Sequence, residues 1–285
     1  MTPQRLYIDG VALWTPALPG WAQARAALRG DPAPAQAAAH APARPSPPLL
    51  AANERRRAPD SVLVALEVAS AAVAMAGQDP ATLASVFTSA HGDLAIVDAL
   101  CSTLAANPLL LSPTRFHHSV HNAASGYWAI ATGCRAPSSA VSGFEASFAI
   151  GFVEAASQLA ADGVPVLLAG FDTDARGPLA SVNRSRGLLG VALVLAPAVS
   201  AHSLCAVDWC VHGGSAALPP LQSGAAQALE ANAMADALPL FELLARAAPA
   251  TAATPAALAL PLGPAGVLQL SMTMRAPASD NAGAA

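Results

Sequence analysis

The sequence predicts a layered α/β protein with a mainly parallel or mixed sheet covered by helices on both faces. Two observations carry that expectation. Residues 83–88, 164–169 and 188–195 are short, continuous apolar runs, the pattern of strands buried on both sides. Between them lie longer segments with helical spacing, and strands alternating with helices build such layered sheets.

Taken in order, residues 5–14 read as a first strand, with Leu6, Ile8 and Val11 alternating loosely. Residues 31–50 are rich in Ala and Pro and predict an irregular loop. Pro59-Asp60-Ser61 opens a helix, with Asp60 or Ser61 as its cap, Leu63, Leu66 and Val73 on its apolar stripe and Gly77 at its end. A strand at 83–88 leads to a turn at His91-Gly92-Asp93 and a helix over 94–105. A second helix is expected over 120–132, then a strand at 138–142, a tight turn, and a long helix over 146–161 closed by Asp162-Gly163. Beyond the strands at 164–169 and 188–195 the signal weakens. Residues 205–211 suit a strand, 223–247 a helix and 267–274 a final alternating strand, and 276–285 read as a disordered tail.

Composition narrows the function. The chain has 285 residues, 54% of them hydrophobic and 11% charged. The apolar excess is mostly alanine, there is no lysine, and all 14 basic residues are arginine. A net charge of -4 leaves no footprint for nucleic acid. Residues 1–14 lack a basic region followed by a long apolar run, so no signal peptide is expected. The longest apolar run, 187–201, is interrupted by Pro197 and falls short of the roughly 18–20 residues that span a bilayer. A cytoplasmic protein without a membrane span is expected. Low charge with much apolar surface points to a partner.

The motifs exclude more than they assign. No Gly-x-Ser-x-Gly, Walker loop or dinucleotide glycine pattern occurs, and no cofactor is implied. Cys101, Cys134, Cys205 and Cys210 lack paired metal spacing and read as reduced, buried thiols, the last two on opposite faces of a strand. His117, His118 and His121 have helical spacing, but no acid or cysteine lies nearby in sequence, so no metal site is assigned. Glu54-Arg55-Arg56-Arg57 reads as a solvated helix entry, or else as a patch for an acidic carrier protein.

Several blocks agree with one family in order and spacing. Residues 56–60 lead into Leu66-Glu67-Val68-Ala69, followed by residues 86–93. His121-Asn122-Ala123-Ala124-Ser125-Gly126-Tyr127-Trp128 comes next, then Val141-Ser142-Gly143-Phe144-Glu145-Ala146-Ser147, then Ala169-Gly170-Phe171-Asp172. Over residues 1–197 this resembles the N-terminal half of a β-ketoacyl synthase of the thiolase fold. It most resembles the short chain length factors of aryl polyene pathways, a branch of fatty-acid and polyketide-type biosynthesis. The implied organisation is a ketosynthase-like half over 1–200, an abbreviated C-terminal half over 201–275 and the tail over 276–285, with a thiolase-like α/β/α core.

The departures shape the functional expectation. Glu145 stands where the synthases carry their nucleophilic cysteine, and neither His202 nor His212 falls in a synthase histidine motif. A carboxylate suits the helix N-terminus as a thiolate does, but it does not support the thioester chemistry. The resemblance therefore implies a catalytically silent subunit. It would pair with an active ketosynthase and meet an acyl carrier protein transiently. In such heterodimers the strand before the nucleophile turn, here Ser138, Ser139, Ala140, Val141 and Ser142, joins the partner's sheet. Ser119, Val120, His121 and Asn122 would line or cap the partner's acyl tunnel, with Phe144 beside them. Tyr127 and Trp128 either line that tunnel or are plain core. The alternative is a stand-alone enzyme: a malonyl decarboxylase using Glu145, or an acyltransferase using a hydroxyl such as Ser147.

Overall fold

The computed structural model describes residues 3–31, 44–246 and 255–275. Its strands are β1 (Gln4–Thr15), β2 (Leu18–Pro19), β3 (Ala84–Thr88), β4 (Ser138–Val141), β5 (Val166–Asp172), β6 (Leu189–Ala196), β7 (Cys205–Gly213), β8 (Ala256–Pro261) and β9 (Gly266–Met274). The helices are α1 (Trp21–Arg29), α2 (Ala52–Arg57), α3 (Asp60–Met75), α4 (Leu94–Ala106), α5 (Pro113–His118), α6 (Ala123–Thr132), α7 (Ser147–Asp162), α8 (Gly224–Gln227) and α9 (Leu238–Arg246).

The loose alternation of β1 has a physical cause. Its register against β6 shifts between Ile8 and Gly10, so Asp9 forms a bulge. Leu6 and Ile8 before the bulge, and Val11 and Leu13 after it, thereby fall in the same core cluster, while Ala12 and Trp14 join the other. The bulged carboxylate is buried, and it accepts hydrogen bonds of 2.7 Å from the hydroxyls of Ser200 and Ser203. Gly10 is required beside it. A Cβ there would lie 2.1 Å from the Ala72 carbonyl oxygen, so only glycine lets α3 approach this closely.

The strands form one mixed sheet in the order β4-β3-β5-β6-β1-β7-β9-β8, with β2 a short hairpin partner of β1. Only β3–β4 and β3–β5 are parallel, and every other pair is antiparallel. On one face α3 and α6 bury Leu63, Leu66 and Trp128. On the other, α1, α7 and α9 bury Leu28, Phe148 and Phe241. Each such side chain contributes about 1.5–3 kcal/mol on leaving water. This is the expected helix–sheet–helix layering.

Several local expectations need correction. Residues 16–30, assigned no element above, hold α1, a short alanine-rich helix that buries Ala24 and Leu28 and packs Trp21 on the Phe241 ring. The helix expected over 120–132 begins at Ala123, because α5 ends at His118 and residues 119–122 turn between the two. The helix expected over 223–247 is broken into α8, a 3-10 turn at Ala235–Ala237 and α9. Neither Asp60 nor Ser61 caps α3. Asp60 pairs with Arg44, and Ser61 donates to Asp93. Only Cys205 of the four cysteines is buried, and Cys101 is exposed. The expected tail at 276–285, and part of the loop at 31–50, lie outside the described residues.

Candidate functional site

Three loops leave the carboxyl ends of the parallel strands β3, β4 and β5 side by side, the place where open α/β sheets carry their sites. The first, after β3, is held by buried polar groups. Asp172 at the end of β5 accepts from the Ser89 hydroxyl at 2.7 Å and from the Ala90 N–H at 2.9 Å. Ser89 Oγ in turn accepts from Gly92 N–H at 2.8 Å. Burial pushes the Asp172 carboxyl up to about 7 despite these donors.

The second loop is the tight turn after β4. Phe144 has φ 57°, a left-handed conformation that bulky residues avoid, and it places Glu145 at the tip of the turn. The turn is braced by Ser147. Its buried hydroxyl accepts from the Gly143 N–H at 3.0 Å and donates to the Phe144 carbonyl at 2.8 Å. That hydroxyl is committed to the turn, so it is no free nucleophile. Gly143 leaves room for Ile150, whose Cδ1 would lie 2.5 Å from an added Cβ.

The sequence puts Glu145 near the α7 N-terminus, where a carboxylate suits the free N–H groups. The structure gives that role to another carboxylate. Asp236 Oδ2 accepts from the N–H groups of Phe148 at 2.9 Å and Ala149 at 3.2 Å. Burial drives the Asp236 carboxyl up to about 8, against those two donors and with the nearby Asp172 adding to the rise. Glu145 is exposed and turns outward. With His91, Phe144 and Asp236 it lines a broad cleft of about 1510 Å³, completed by residues 174–186, 230–235 and the β8–β9 turn. The His91 ring meets the Phe144 ring edge-on at 5.6 Å, and burial lowers its pKa.

The other expected site residues divide. His118 is buried and bonds the Tyr127 hydroxyl at 2.9 Å, while His121 bonds the Ser89 carbonyl at 2.9 Å, so the two imidazoles serve different partners. Trp128 is fully buried against Phe87, which makes it core. Ser119, Val120 and Asn122 lie at the surface of the turn before α6, beside a water-sized cavity that Val120 and His121 line with Gly92 and Asp93. Ser138 to Val141 form β4, whose free edge completes the sheet, and Ser142 donates to the Ala90 carbonyl. Large apolar side chains stand exposed on the helices between β3 and β4: Leu109 is 94% exposed, Ile130 83% and Phe116 65%. Sequence reasoning missed Asp236 entirely. It lies 88 residues from its partner Phe148 in a segment without a motif.

The family described as "Beta-ketoacyl synthase, N-terminal domain" matches residues 29–253. No curated protein matches the sequence. Among solved structures, the chain is similar to one chain of the ketosynthase ApeO in complex with its chain length factor ApeC from Xenorhabdus doucetiae. The TM-score is 0.67 at 20% identity, over 95% of this chain and 99% of that one. It is similar to the ishigamide ketosynthase/chain length factor, with a TM-score of 0.68 at 16% identity over 96% and 100% of the two chains. A β-ketoacyl synthase from Burkholderia phymatum STM815 gives a TM-score of 0.58 at 15% identity, with 82% and 70% covered. These likenesses establish the thiolase-like ketosynthase fold. Among the described residues no helix is long and apolar enough to cross a membrane.

Proposed function

We propose that this chain, which belongs to the β-ketoacyl synthase N-terminal-domain family, is a catalytically silent chain length factor. It pairs with an active ketosynthase in cytoplasmic aryl polyene-type biosynthesis and shapes the acyl tunnel of its partner. An acyl carrier protein meets the pair transiently. The observation that carries the reading is Glu145. It occupies the tip of the strained turn after β4, where a condensing enzyme needs a thiolate. The α7 dipole that would activate a thiol is engaged by Asp236 instead.

The free edge of β4 supports the pairing. Its other side bonds β3, while among the described residues no strand pairs with its outer edge, an arrangement that a partner strand relieves. The exposed Leu109, Phe116 and Ile130 lie on the helices that lead into it, and burying them would favour an obligate interface of more than roughly 2,000 Å². Ser119, Val120, His121 and Asn122 are then the tunnel-facing residues, with Phe144 and Tyr127 nearby.

Intact-mass analysis of the purified chain after incubation with acyl and malonyl thioesters is the direct test. No adduct and no carbon dioxide release are expected, together with co-purification of one full-length synthase chain. An adduct on any residue, or decarboxylation blocked by Glu145→Gln, overturns the silent reading. A stable monomer in the presence of the synthase overturns the pairing. Glu145→Cys should at most allow acylation, not condensation, since neither His202 nor His212 falls in a synthase histidine motif.

A further inference from the structure

α7 presents an acidic flank to the free edge of β4. Ile150, Glu154, Gln158 and Asp162 recur every four residues, so they share one side of the helix. Two of them reach over the outermost strand. Ser139, on β4, donates its hydroxyl to Glu154 Oε1 at 3.2 Å. Gln158 Nε2 donates to the same oxygen at 2.8 Å and to the Ser139 hydroxyl at 3.0 Å. Two neutral donors therefore tie the carboxylate over the sheet edge, where it would otherwise swing in solvent. Its second oxygen, Oε2, has no hydrogen-bond partner among the described residues and is not enclosed.

No cation answers this carboxylate. Among the described residues no arginine or histidine lies within salt-bridge distance of Glu154. β4 carries no charged residue, and the charges of α7 are Glu154 and Asp162, both acidic. Symmetry turns this into a restriction on pairing. Two identical edge strands that extend a sheet in antiparallel fashion are related by a two-fold axis perpendicular to it, so the α7 flank of one copy meets the α7 flank of the other. Side chains keep their face, so Ser139 opposes Ser139 or Val141 of the second copy and never Ala140. Strands lie about 4.8 Å apart and rise about 3.4 Å per residue, so the two Ser139 sites, each under its own Glu154, come to about 5–8 Å. Physiological salt screens over about 8 Å, and like charges facing each other across paired strands destabilise them.

We propose that Glu154 selects the partner at the β4 edge: it bars a second copy of this chain and favours a chain that sets a lysine or arginine opposite it. The inference rests on the pairing described above and names the chemistry of the partner at that joint. Facing charges reject wrong partners and admit complementary ones. The exposed Leu109, Phe116 and Ile130 do not discriminate in this way, because apolar area is buried against either partner. Oε2 is the acceptor that the partner's cation takes, and the bonds from Ser139 and Gln158 hold it in position.

Sedimentation equilibrium of the full chain alone tests the exclusion. Glu154→Gln should self-associate at least about 10-fold more tightly than the unaltered chain. Glutamine keeps an acceptor for Ser139 and Gln158, so the melting temperature should hold. In about 1 M salt, where screening reaches about 3 Å, the two chains should converge. Asp208→Asn, at the far end of the sheet, should leave self-association unchanged. Glu154→Lys supplies the missing cation. Mixed with the unaltered chain, it should form a mixed pair at least about 10-fold tighter than either like pair, and it should weaken co-purification with the synthase to a similar degree. Equal self-association of the unaltered and Glu154→Gln chains overturns the proposal. So does a mixed pair no tighter than the like pairs, or synthase pairing that Glu154→Lys leaves intact. In those cases the synthase still co-purifies with the unaltered chain, so the pairing stands and only the role of Glu154 falls. If no synthase pairs with the unaltered chain, the functional reading itself fails.

Discussion

The two ends of the sheet are built differently. At one end β4, β3 and β5 run parallel, their carboxyl-end loops converge, and the outermost strand has a free edge. At the other end β6, β1, β7, β9 and β8 run antiparallel, and the β6–β7 connection brings Ser200 and Ser203 to the buried Asp9. Parallel strands need long crossovers, and those crossovers bring distant residues to one rim. His91 and Glu145 meet at the cleft for that reason, and the loop joining the antiparallel pair β5 and β6 adds the arginines of residues 176–186. The parallel end carries the strain at Phe144 and the buried Asp172 and Asp236, while the antiparallel end buries Asp9 in its bulge.

Large-to-small changes break this comparison most severely. Phe148→Ala, in the helix beneath the turn, should cost about 3–5 kcal/mol, and Leu270→Ala in β9 about 2–5 kcal/mol, read by urea denaturation. The ends should differ in function. Phe148→Ala should also loosen synthase pairing, because α7 supports the turn after β4. Leu270→Ala should leave pairing intact in whatever fraction stays folded. Equal loss of pairing in both would dissolve the distinction.

Asp236 sharpens it next. Asp236→Ala strands two helix N–H groups and should cost about 1–3 kcal/mol. Asp236→Asn keeps an acceptor for them. The pH dependence follows from the sign of the shifts. Asp172 at about 7 and Asp236 at about 8 lie above the roughly 3.9 of an unfolded aspartate. The folded state therefore holds their protons more tightly, so its advantage is complete below about pH 4 and declines as pH rises through 7 and 8. Thermal melts from pH 4 to 9 should show that decline, and Asp236→Asn should flatten its upper part. An unchanged slope in the variant would mean that Asp236 ionises freely in the fold.

At the turn before α6 the expected effect is on product rather than stability. Val120→Ala or His121→Ala should lengthen or blur the product distribution while the complex stays assembled. His121→Ala should also lower stability, because it removes the bond to the Ser89 carbonyl. Unchanged product length with intact pairing would remove these residues from the tunnel.

The same contrast governs what was legible in the sequence. The parallel end announces itself locally: β3, β5 and the long α7 are apolar runs with clear breaks, and the turn at Glu145 follows from its neighbours alone. The antiparallel end is quieter. In β1 the bulge at Asp9 shifts the alternation by one residue, and β8 is Ala256-Ala257-Leu258-Ala259-Leu260-Pro261, too alanine-rich to declare a period. The exchange of Glu145 for Asp236 at the α7 N-terminus was not legible. It depends on a loop 88 residues away being folded against the helix, and local chemistry favours either carboxylate there.

The smallest effect is expected on the antiparallel end, and its sign is opposite. Arg5 on β1 faces Asp208 on β7 in a two-pronged pair of 2.8 and 2.7 Å, and Arg5 holds the Asp208 carboxyl below its ordinary range. A lowered carboxylate pKa means that the unfolded chain takes up its proton first. This contribution is therefore present above the unfolded pKa and is lost as pH falls through the folded one. Asp208→Asn should change the melting temperature only slightly at neutral pH, because both groups are solvated. The change should vanish in about 1 M salt, where screening reaches about 3 Å. It should also vanish at acidic pH, whereas Asp236→Asn has its largest consequence at alkaline pH. If the Asp208→Asn difference persists in salt and acid, the pair acts through packing of the Arg5 stem across the β1–β7 rung rather than through charge.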